Sequence, residues 1–534
     1  MRATYSRAVV AAGIVLNVVT WAGQAHAQPF ANLKSSAVDY TVATAEPRIA
    51  CDALAAAFKD KDVISLKTQS FAATDAAPAH CRVSGILSPE IGFEVNLPAR
   101  WNERMYMIGN GGLAGEQPDD AGRGAQRAQA LANGFVMVST DTGHNGAKEP
   151  GGVWALRNPA TRVDYAYRAV HLTAVTAKKI AHAYYAKPVA KAYWNSCSNG
   201  GRQGLLEAQR FPTDFDGIIA NAPWVDQTGF ALGAVWNQRA ITEAPVSLDQ
   251  LKLVAERAMA KCDKIDGLAD GLIDDPRKCD FDPARDVPEL SAAQAATLKK
   301  VYGGPTSNGR TIFYGFMVGS ENNGGWANLI VPGAGRPDAK PADYNLAEGL
   351  FRYLVFDPPR PDWDFNAFDF DRDVAVVDRW GKLANAKDPD LSAFRKHGGK
   401  LIMTYGWADG ILQPLMGVNY YEQAVAKNGK NTRDFFRLFM VPGMAHCGGG
   451  VGPDQNDAVS AVIDWVEKGK APDVLVAKKI VQGQVTRSRP LCPYPQVARY
   501  TGAGSIDAAE NFTCVAVQET PLTPKKELKA PTLP

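Results

Sequence analysis

The sequence lacks an excess of charge of either sign, because 58 basic residues face 56 acidic ones. Arg2 and Arg7 lie in a segment that we expect to be removed, and without them the two counts are equal. A neutral chain has no electrostatic surface for nucleic acid or for an anionic membrane. The composition therefore predicts neither nucleic acid nor a membrane as a partner.

Long apolar runs are absent after the first 27 residues, and so are internal repeats and low-complexity linkers. The lack of later apolar runs argues against transmembrane helices, and the composition excludes a disordered chain and a coiled coil. What remains is an ordinary globular composition, 46% hydrophobic and 21% charged, in a chain of 534 residues. That length is enough for a large core and for more than one domain.

Residues 1–27 have the composition of a secretory signal peptide. Arg2 and Arg7 form a basic start, an apolar stretch follows from Ala8 to Trp21, and Ala25-His26-Ala27 fits a small-x-small cleavage site. A membrane anchor is the alternative, but the apolar stretch is short for a membrane span. We therefore expect a secreted or periplasmic protein.

Cysteine is scarce but even in number, and in an exported protein its default state is the disulfide. A zinc site is the alternative, yet the sequence has no C-x-x-C pair and no histidine at ligand spacing. Nearness in sequence is weak evidence for pairing, since eight cysteines allow many connectivities. It suggests Cys51 with Cys81, Cys262 with Cys279, and Cys492 with Cys514, leaving Cys197 and Cys447.

Predicted strands alternate with predicted helices, with one long interruption. The alternation predicts an α/β fold, with a mainly parallel sheet covered by helices on both faces. The interruption at 224–385 is rich in Gly, Pro, Asn and aromatic residues, which predicts an inserted domain. The main domain then consists of 28–223 and 386–520, and a loose tail follows at 521–534. We predict strands at 93–97, 104–108, 134–139, 191–196, 217–220, 400–405 and 435–441, and helices at 163–186, 202–210, 418–427 and 454–468.

The segment around Ser198 has the pattern of a nucleophile elbow, the sharp turn between a strand and a helix that presents a catalytic serine. Ser196, Gly200 and Gly201 supply the small residues that this strained turn requires. The alternative is a glycine-rich loop that binds phosphate at a helix N-terminus. Because the loop is short and has neither the lysine nor the spacing of a P-loop, we favour the elbow.

A serine nucleophile needs an acid and a histidine base, which follow it along the chain of such a fold in that order. Of the two histidines after Ser198, His397 precedes a predicted strand, whereas His446 follows one, at the end where catalytic groups gather. Asp409 also follows a predicted strand, although an aspartate of a surface turn is the alternative. We predict a triad of Ser198, Asp409 and His446.

This triad brings the two remaining cysteines near each other. Cys197 precedes Ser198 and Cys447 follows His446, so a serine and a histidine within hydrogen-bond reach place their neighbours close enough for a disulfide. The oxyanion formed during acyl transfer needs backbone amides beside the nucleophile and after an earlier strand. The predicted donors are the amides of Asn199 and of Gly111 or Gly112.

An acidic loop between Cys262 and Cys279 is the second group of candidate functional residues. Its carboxylates, spaced three and four residues apart among glycines, offer the flexible, oxygen-rich cage that calcium prefers. The spacing is not that of an EF-hand, and a solvated acidic turn is the alternative. We predict a structural calcium ion and no organic cofactor.

Together these motifs resemble the tannase and feruloyl esterase family of α/β-hydrolases, over nearly the whole mature chain. The resemblance implies the α/β-hydrolase fold with an inserted lid domain, the Ser198 triad and the cysteine pairs above. It also implies calcium ligands from the carboxylates of Asp263, Asp266 and Asp270 and the backbone oxygens of Leu268 and Leu272. The motifs are Gly109-Asn110-Gly111-Gly112, Asp141-Thr142-Gly143-His144, Cys197-Ser198-x-Gly200-Gly201, the acidic loop, Asp409 and His446-Cys447.

The resemblance implies a serine carboxylic ester hydrolase whose substrate is a small aromatic ester of the galloyl, feruloyl or terephthalate monoester type. The chain is similar to the bacterial branch that includes mono(2-hydroxyethyl) terephthalate hydrolase, but Asn199 stands where that enzyme has an acidic residue. A substrate with a free carboxylate calls for a lid cation, for which Arg336, Arg352 and Arg360 are candidates. A non-catalytic protein that binds aromatic ligands is the alternative, and the oligomeric state is left open.

Overall fold

The structure is a computed structural model that describes residues 29–30, 32, 35–40, 45–321, 325–333 and 339–516. The predicted signal peptide at 1–27, the predicted tail at 521–534 and Arg336 lie outside these residues. Within the described ranges, no helix is both long enough and apolar enough to cross a membrane.

The strands of the described chain begin with an antiparallel group and continue as β-α-β units. Two-residue strands and short hairpins follow in the insertion and near the C-terminus. In chain order they are β1 (Val63–Phe71), β2 (His80–Leu87), β3 (Ile91–Pro98), β4 (Arg104–Met107), β5 (Val136–Thr140), β6 (Lys191–Cys197), β7 (Gly217–Asn221), β8 (Thr306–Ser307), β9 (Arg310–Thr311), β10 (Lys400–Gly406), β11 (Phe436–Val441), β12 (Leu475–Val481), β13 (Gln484–Leu491), β14 (Val497–Tyr500) and β15 (Phe512–Val515).

Nine of these strands form one sheet in the order β1-β2-β3-β5-β4-β6-β7-β10-β11. The strands from β5 to β11 in this order are parallel, whereas β1, β2 and β3 pair antiparallel, β3 also with β5. The parallel strands are buried on both faces, as expected for a sheet that is covered on both sides. The predicted mainly parallel sheet is therefore confirmed.

Helices cover both faces of this sheet. Neighbouring residues of a strand enter different cores: Trp194 packs on the face of the helices at 169–185 and 199–210, and Tyr193 on the face of the helix at 458–468. The helices are α1 (Cys51–Ala57), α2 (Gly124–Ala132), α3 (Pro159–Val163), α4 (Ala169–Tyr185), α5 (Asn199–Arg210), α6 (Gln227–Glu243), α7 (Leu248–Cys262), α8 (Pro283–Asp286), α9 (Ala292–Gly303), α10 (Ala342–Gly349), α11 (Asp378–Ala384), α12 (Ser392–His397), α13 (Leu415–Asn428) and α14 (Ala458–Lys468).

The insertion lies between β7 and β10 and has two parts. The first part, from Ile241 to Val331, has a hydrophobic core of its own that includes Trp326, although Phe313 within it packs into the core of the main sheet. The second part, which includes Phe351 and Trp380, shares the core on one face of the main sheet. The predicted limits at 224 and 385 fall just outside α6 and α11.

Several elements differ from the sequence-based expectation. The single helix predicted at 163–186 is three pieces, because a π-turn at Asp164–Arg168 separates α3 from α4. The edge strand β1, its neighbour β2, the two-residue strands β8 and β9, and the hairpins β12–β13 and β14–β15 were not predicted. Most residues of β1 are exposed or only partly buried, so its sequence carries little of the apolar signal that reveals a strand.

Four disulfides are present, and each matches an expected pair. The Cα–Cα distances are 5.5 Å for Cys51–Cys81, 5.9 Å for Cys197–Cys447, 5.5 Å for Cys262–Cys279 and 5.6 Å for Cys492–Cys514. These distances lie in the usual range for a disulfide. The pairing by nearness and the argument for Cys197–Cys447 are both confirmed.

Candidate active site

Ser198 occupies the sharp turn between β6 and α5, with φ 61° and ψ −125°. A positive φ is costly for a residue with a side chain, so the surroundings must hold it. The Ser198 amide donates to the Asn221 carbonyl at 3.0 Å, and its carbonyl accepts from the Trp224 amide at 2.9 Å. A Cβ at Gly200 would collide with the Ser196 side chain, which explains the glycine. This backbone is that of a nucleophile elbow.

Asp409 and His446 form a buried pair at the carboxyl ends of β10 and β11. The His446 ring donates from Nδ1 to Asp409 Oδ2 at 2.8 Å, and the exposed fractions of the two residues are 7% and 0%. Asp409 Oδ1 accepts from the amides of Ile411 and Leu412 at 3.0 and 2.8 Å. Because Nδ1 carries the proton in this hydrogen bond, Nε2 of the neutral ring is the basic nitrogen.

The disulfide between Cys197 and Cys447 joins the elbow to the histidine loop. A ring nitrogen of His446 lies within 4.8 Å of both sulfur atoms. The imidazole therefore lies beside the turn that carries Ser198. The cluster is not a metal site, because sulfurs joined in a disulfide offer no thiolate ligands.

The predicted oxyanion donors differ in their present hydrogen bonds. The Asn199 amide lies in the first turn of α5, where helix amides have no acceptor within the helix. The Gly111 amide donates to Glu116 Oε1 at 3.2 Å. The Gly112 amide donates to no described residue. Of the two glycine amides, that of Gly112 is therefore the one free to bind a ligand.

The Asp141–His144 segment anchors the glycine-rich loop that contains Gly112. His144 donates from Nε2 to the Leu113 carbonyl at 3.1 Å, and its ring stacks on Trp154 with the centroids 4.3 Å apart. Burial lowers the pKa of His144 to about 4, so the ring is neutral at pH 7. Burial also raises the pKa of Asp141 to about 7.

Segments of the insertion border both loops of the site. Leu346 of α10 lies 3.7 Å from the position that a Cβ on Gly112 would occupy, and Gly325 contacts Gly410, next to Asp409. Of the candidate lid cations, Arg352 pairs with Glu348 at 3.2 Å. Arg360 lies over the Phe356 ring at 4.6 Å and has no ion pair within the described residues.

The candidate calcium residues form a turn closed by their own amides. Asp263 Oδ1 accepts from the amides of Asp270 and Gly271 at 3.1 and 3.0 Å, and Asp266 Oδ1 accepts from that of Leu268 at 3.0 Å. The second carboxylate oxygens of Asp263 and Asp266 accept no hydrogen bond from the described chain. Arg489 pairs with Asp270 Oδ2 at 2.5 Å.

The oxygen donors of this turn suit a hard cation in type, but within the described residues the carboxylates of Asp263, Asp266 and Asp270 are not gathered within 4.8 Å of one another. Burial, and then the charges of Asp266 and Asp275, raise the pKa of the neighbouring Asp274 to about 7. Carboxylate and backbone oxygens are the ligands that calcium takes. Leu272 of the same turn packs against Gly443, which leads to His446.

A buried polar network under the elbow was not predicted from the sequence. It centres on Asn199 and Arg202, which are both 0% exposed. Tyr165 from the π-turn and Gln227 at the start of α6 complete it, with Gln227 Nε2 donating to the Tyr165 hydroxyl at 2.7 Å. An arginine on a helix is usually exposed, so no sequence pattern indicated this burial.

Known proteins are similar to this chain over most of its length. The family model for tannase and feruloyl esterase matches residues 76–515. An uncharacterized esterase of Xanthomonas campestris is 36% identical, with 83% of this chain and 85% of that protein covered. Mono(2-hydroxyethyl) terephthalate hydrolase of Piscinibacter sakaiensis is 32% identical, with 83% and 86% covered.

A solved structure shows the same fold. The crystal structure of feruloyl esterase B from Aspergillus oryzae superposes with a TM-score of 0.72 at 28% identity, over 87% of this chain and 100% of that one. The comparison confirms the α/β-hydrolase type of architecture, with its mainly parallel sheet and helices.

Proposed function

The chain belongs to the tannase and feruloyl esterase family, and from this premise we propose that it hydrolyses esters of small aromatic acids with Ser198 as nucleophile. Its general activity is carboxylic ester hydrolysis. In the proposal, His446 is the base and Asp409 the orienting acid. The observation that carries these roles is the buried His446–Asp409 hydrogen bond beside the Ser198 turn.

In the proposed first step, His446 Nε2 takes the proton of Ser198 Oγ while this oxygen attacks the ester carbonyl carbon. Asp409 keeps the imidazole in the tautomer that this transfer requires and stabilises the imidazolium that forms. The oxyanion accepts hydrogen bonds from the amides of Asn199 and Gly112, with Gly111 as the alternative second donor. His446 then protonates the leaving alcohol, and an acyl-enzyme remains.

In the second step, water attacks the acyl-enzyme, and His446 again serves as base. The proton taken from water is returned to Ser198 Oγ as the bond from this oxygen to the acyl carbon breaks. The products are the free aromatic acid and the regenerated serine. The chain needs no organic cofactor for this sequence of steps.

The acyl group is the finer part of the proposal. The feruloyl and galloyl types follow from the family, and the terephthalate monoester type from the similarity to the Piscinibacter enzyme. A terephthalate monoester carries a free carboxylate, which a cation of the insertion could bind. Of the candidates within the described residues, Arg352 is paired with Glu348, whereas Arg360 has no ion pair. This chain has Asn199 at the position where that enzyme has an acidic residue. We therefore propose the broader class of esters of small aromatic acids as substrates.

The test is release of free acid from methyl gallate, methyl ferulate and mono(2-hydroxyethyl) terephthalate. We expect turnover of at least one ester, no turnover by Ser198→Ala, and a loss of about a thousandfold or more in His446→Ala. The matched control is His397→Ala, because His397 is exposed at the end of α12 and precedes β10. Ligand binding without turnover by the wild type would favour the non-catalytic binding protein instead.

We propose two further properties. A structural calcium ion is held by Asp263, Asp266 and Asp270 with the backbone oxygens of Leu268 and Leu272, as the donor chemistry of the turn supports. The protein is exported, to the periplasm or the exterior of the cell. Its disulfides support export, since such bonds persist in oxidising compartments.

A further inference from the structure

Arg202 lies one turn into α5, behind the backbone of the nucleophile elbow. Its Nε donates to Asn199 Oδ1 at 2.7 Å, and Nη1 donates to the carbonyls of Ala166 and Ala384 at 3.0 and 2.7 Å. Nη2 donates to the Tyr165 carbonyl at 3.2 Å. A guanidinium stays protonated even when burial lowers its pKa, as it does here.

All of these acceptors are uncharged. Arg202 has no ion pair with a carboxylate among the described residues, and it is 0% exposed. Its nearest aromatic neighbour is Tyr165, whose ring centroid is 5.0 Å from the guanidinium carbon. An unpaired buried cation is costly to the fold, and a well-packed apolar side chain would avoid that cost. The position of this charge therefore calls for a reason beyond packing.

Asn199 connects this cation with the loop on the other side of the site. Its Oδ1 accepts from Arg202, and its Nδ2 donates to the Asn110 carbonyl at 3.1 Å. The Tyr165 hydroxyl lies 3.1 Å from the Gly112 carbonyl and 3.2 Å from Asn199 Oδ1, and can donate to either. The Asn199 side chain thus joins the elbow to the loop that carries Gly112, the second oxyanion donor.

We infer that Arg202 is a positioning residue of the esterase site: through Asn199 it fixes the spacing of the two oxyanion donors and places positive charge behind them. This inference rests on the proposed function. The charge acts in a water-excluded environment, and the N-terminal end of α5 points its partial positive charge at the same place. The oxyanion exists only after attack, so the effect belongs to kcat and not to KM.

The test compares Arg202→Gln, Arg202→Lys and Asn199→Ala with the wild type on methyl ferulate. Phenylboronic acid, which forms a tetrahedral anion with an active-site serine, probes the oxyanion hole, and ferulate probes ground-state binding. We expect Arg202→Gln to lower kcat about 10- to 100-fold and to weaken boronate binding by a similar factor. KM and ferulate affinity stay within about threefold, and Arg202→Lys recovers part of kcat because it keeps the charge.

The control is Arg210→Gln on the same helix. Arg210 donates to the carbonyls of Lys382 and Leu383 in α11, but it is exposed and makes no hydrogen bond with Asn199 among the described residues. We expect wild-type kcat from this variant. If Arg202→Gln does not fold, Asn199→Ala cuts the same connection and must show the same signature.

Several outcomes would overturn the inference. They are an unchanged kcat in Arg202→Gln, equal losses of boronate and ferulate binding, and a lysine variant no better than glutamine. In each of these cases the wild type still hydrolyses the ester and Ser198→Ala does not, so the proposed function stands. A wild type that turns over none of the esters overturns both.

Discussion

His144 shows how burial sets the state of a single side chain near the site. Its neutral ring donates a hydrogen bond to the loop that carries Gly112. The unfolded histidine has a pKa of about 6.5, whereas the folded one has a pKa of about 4. Between these values the unfolded chain binds more protons, so the free energy of unfolding falls as the pH is lowered from about 6.5 to 4.

We expect a His144→Gln variant to lose this pH dependence while it keeps a donor for Leu113. The advantage of the wild type over the variant in unfolding free energy should shrink by about 3 kcal/mol between pH 6.5 and 4. Urea unfolding at both pH values measures it. Parallel pH profiles for the two proteins would contradict the prediction.

The comparison between variants is necessary because Asp141 acts in the opposite direction. Its pKa rises from 3.8 to about 7 on folding, so the folded chain binds more protons in this range. Asp141 therefore stabilises the fold more at low pH, and this contribution is lost as the pH rises through about 7. It is common to both proteins and cancels in the difference.

At the scale of elements, the disulfide Cys197–Cys447 joins the turn after β6 to the loop after β11. It closes a loop with a sequence separation of 250 residues. In the chain-entropy model such a closure stabilises the folded state by about 5 kcal/mol. The same bond limits how far His446 can move from Ser198, so it bears on geometry as well as on stability.

We expect the double variant Cys197→Ala/Cys447→Ala to lose both Tm and at least about tenfold in kcat, because a small displacement of a catalytic group is costly. Cys492→Ala/Cys514→Ala is the control, since that bond joins the residue after β13 to β15 and includes neither the elbow nor the histidine loop. It should lower Tm and leave kcat near the wild-type value. Equal kcat losses in the two variants would contradict a local role for Cys197–Cys447.

The elements that could be predicted are those with a strong apolar pattern. The strands β4 to β7, β10 and β11 are buried, and the turns that follow them hold the candidate triad. The hairpins β12–β13 and β14–β15 have few buried residues outside β13, so they left no clear pattern. The buried Arg202 follows from tertiary packing alone, which no local pattern records.

At the scale of the whole molecule, the acidic turn brings distant parts of the chain together. It belongs to the insertion, yet Arg489 of β13 pairs with Asp270, and Arg499 of β14 donates to the Asp266 carbonyl. Leu272 packs against the loop before His446. A cation in this turn would therefore stabilise contacts among the insertion, the C-terminal strands and the histidine loop.

We expect a calcium chelator to lower the Tm of the wild type by a few degrees. An ion at about 100 times its Kd stabilises a fold by about 2.7 kcal/mol, which is lost when the ion is removed. Asp266→Asn should have the Tm of the chelated wild type, whether or not chelator is present. The exposed Asp280→Asn should behave as the wild type. A chelator-insensitive Tm in calcium-saturated wild type would contradict calcium binding. Thermal unfolding followed by circular dichroism measures these shifts.

The division of the insertion into two parts bears on how new specificities arise in such proteins. The part from Ile241 to Val331 carries its own core, whereas the part with Phe351 and Trp380 completes the core of the main sheet. Recombination that exchanges the whole insertion between relatives would therefore break a shared interior. Chimeras that exchange only the first part preserve more of it, provided that Phe313, which belongs to the shared core, and the acidic turn, which pairs with β13, are kept. Laboratory evolution of substrate range should start there.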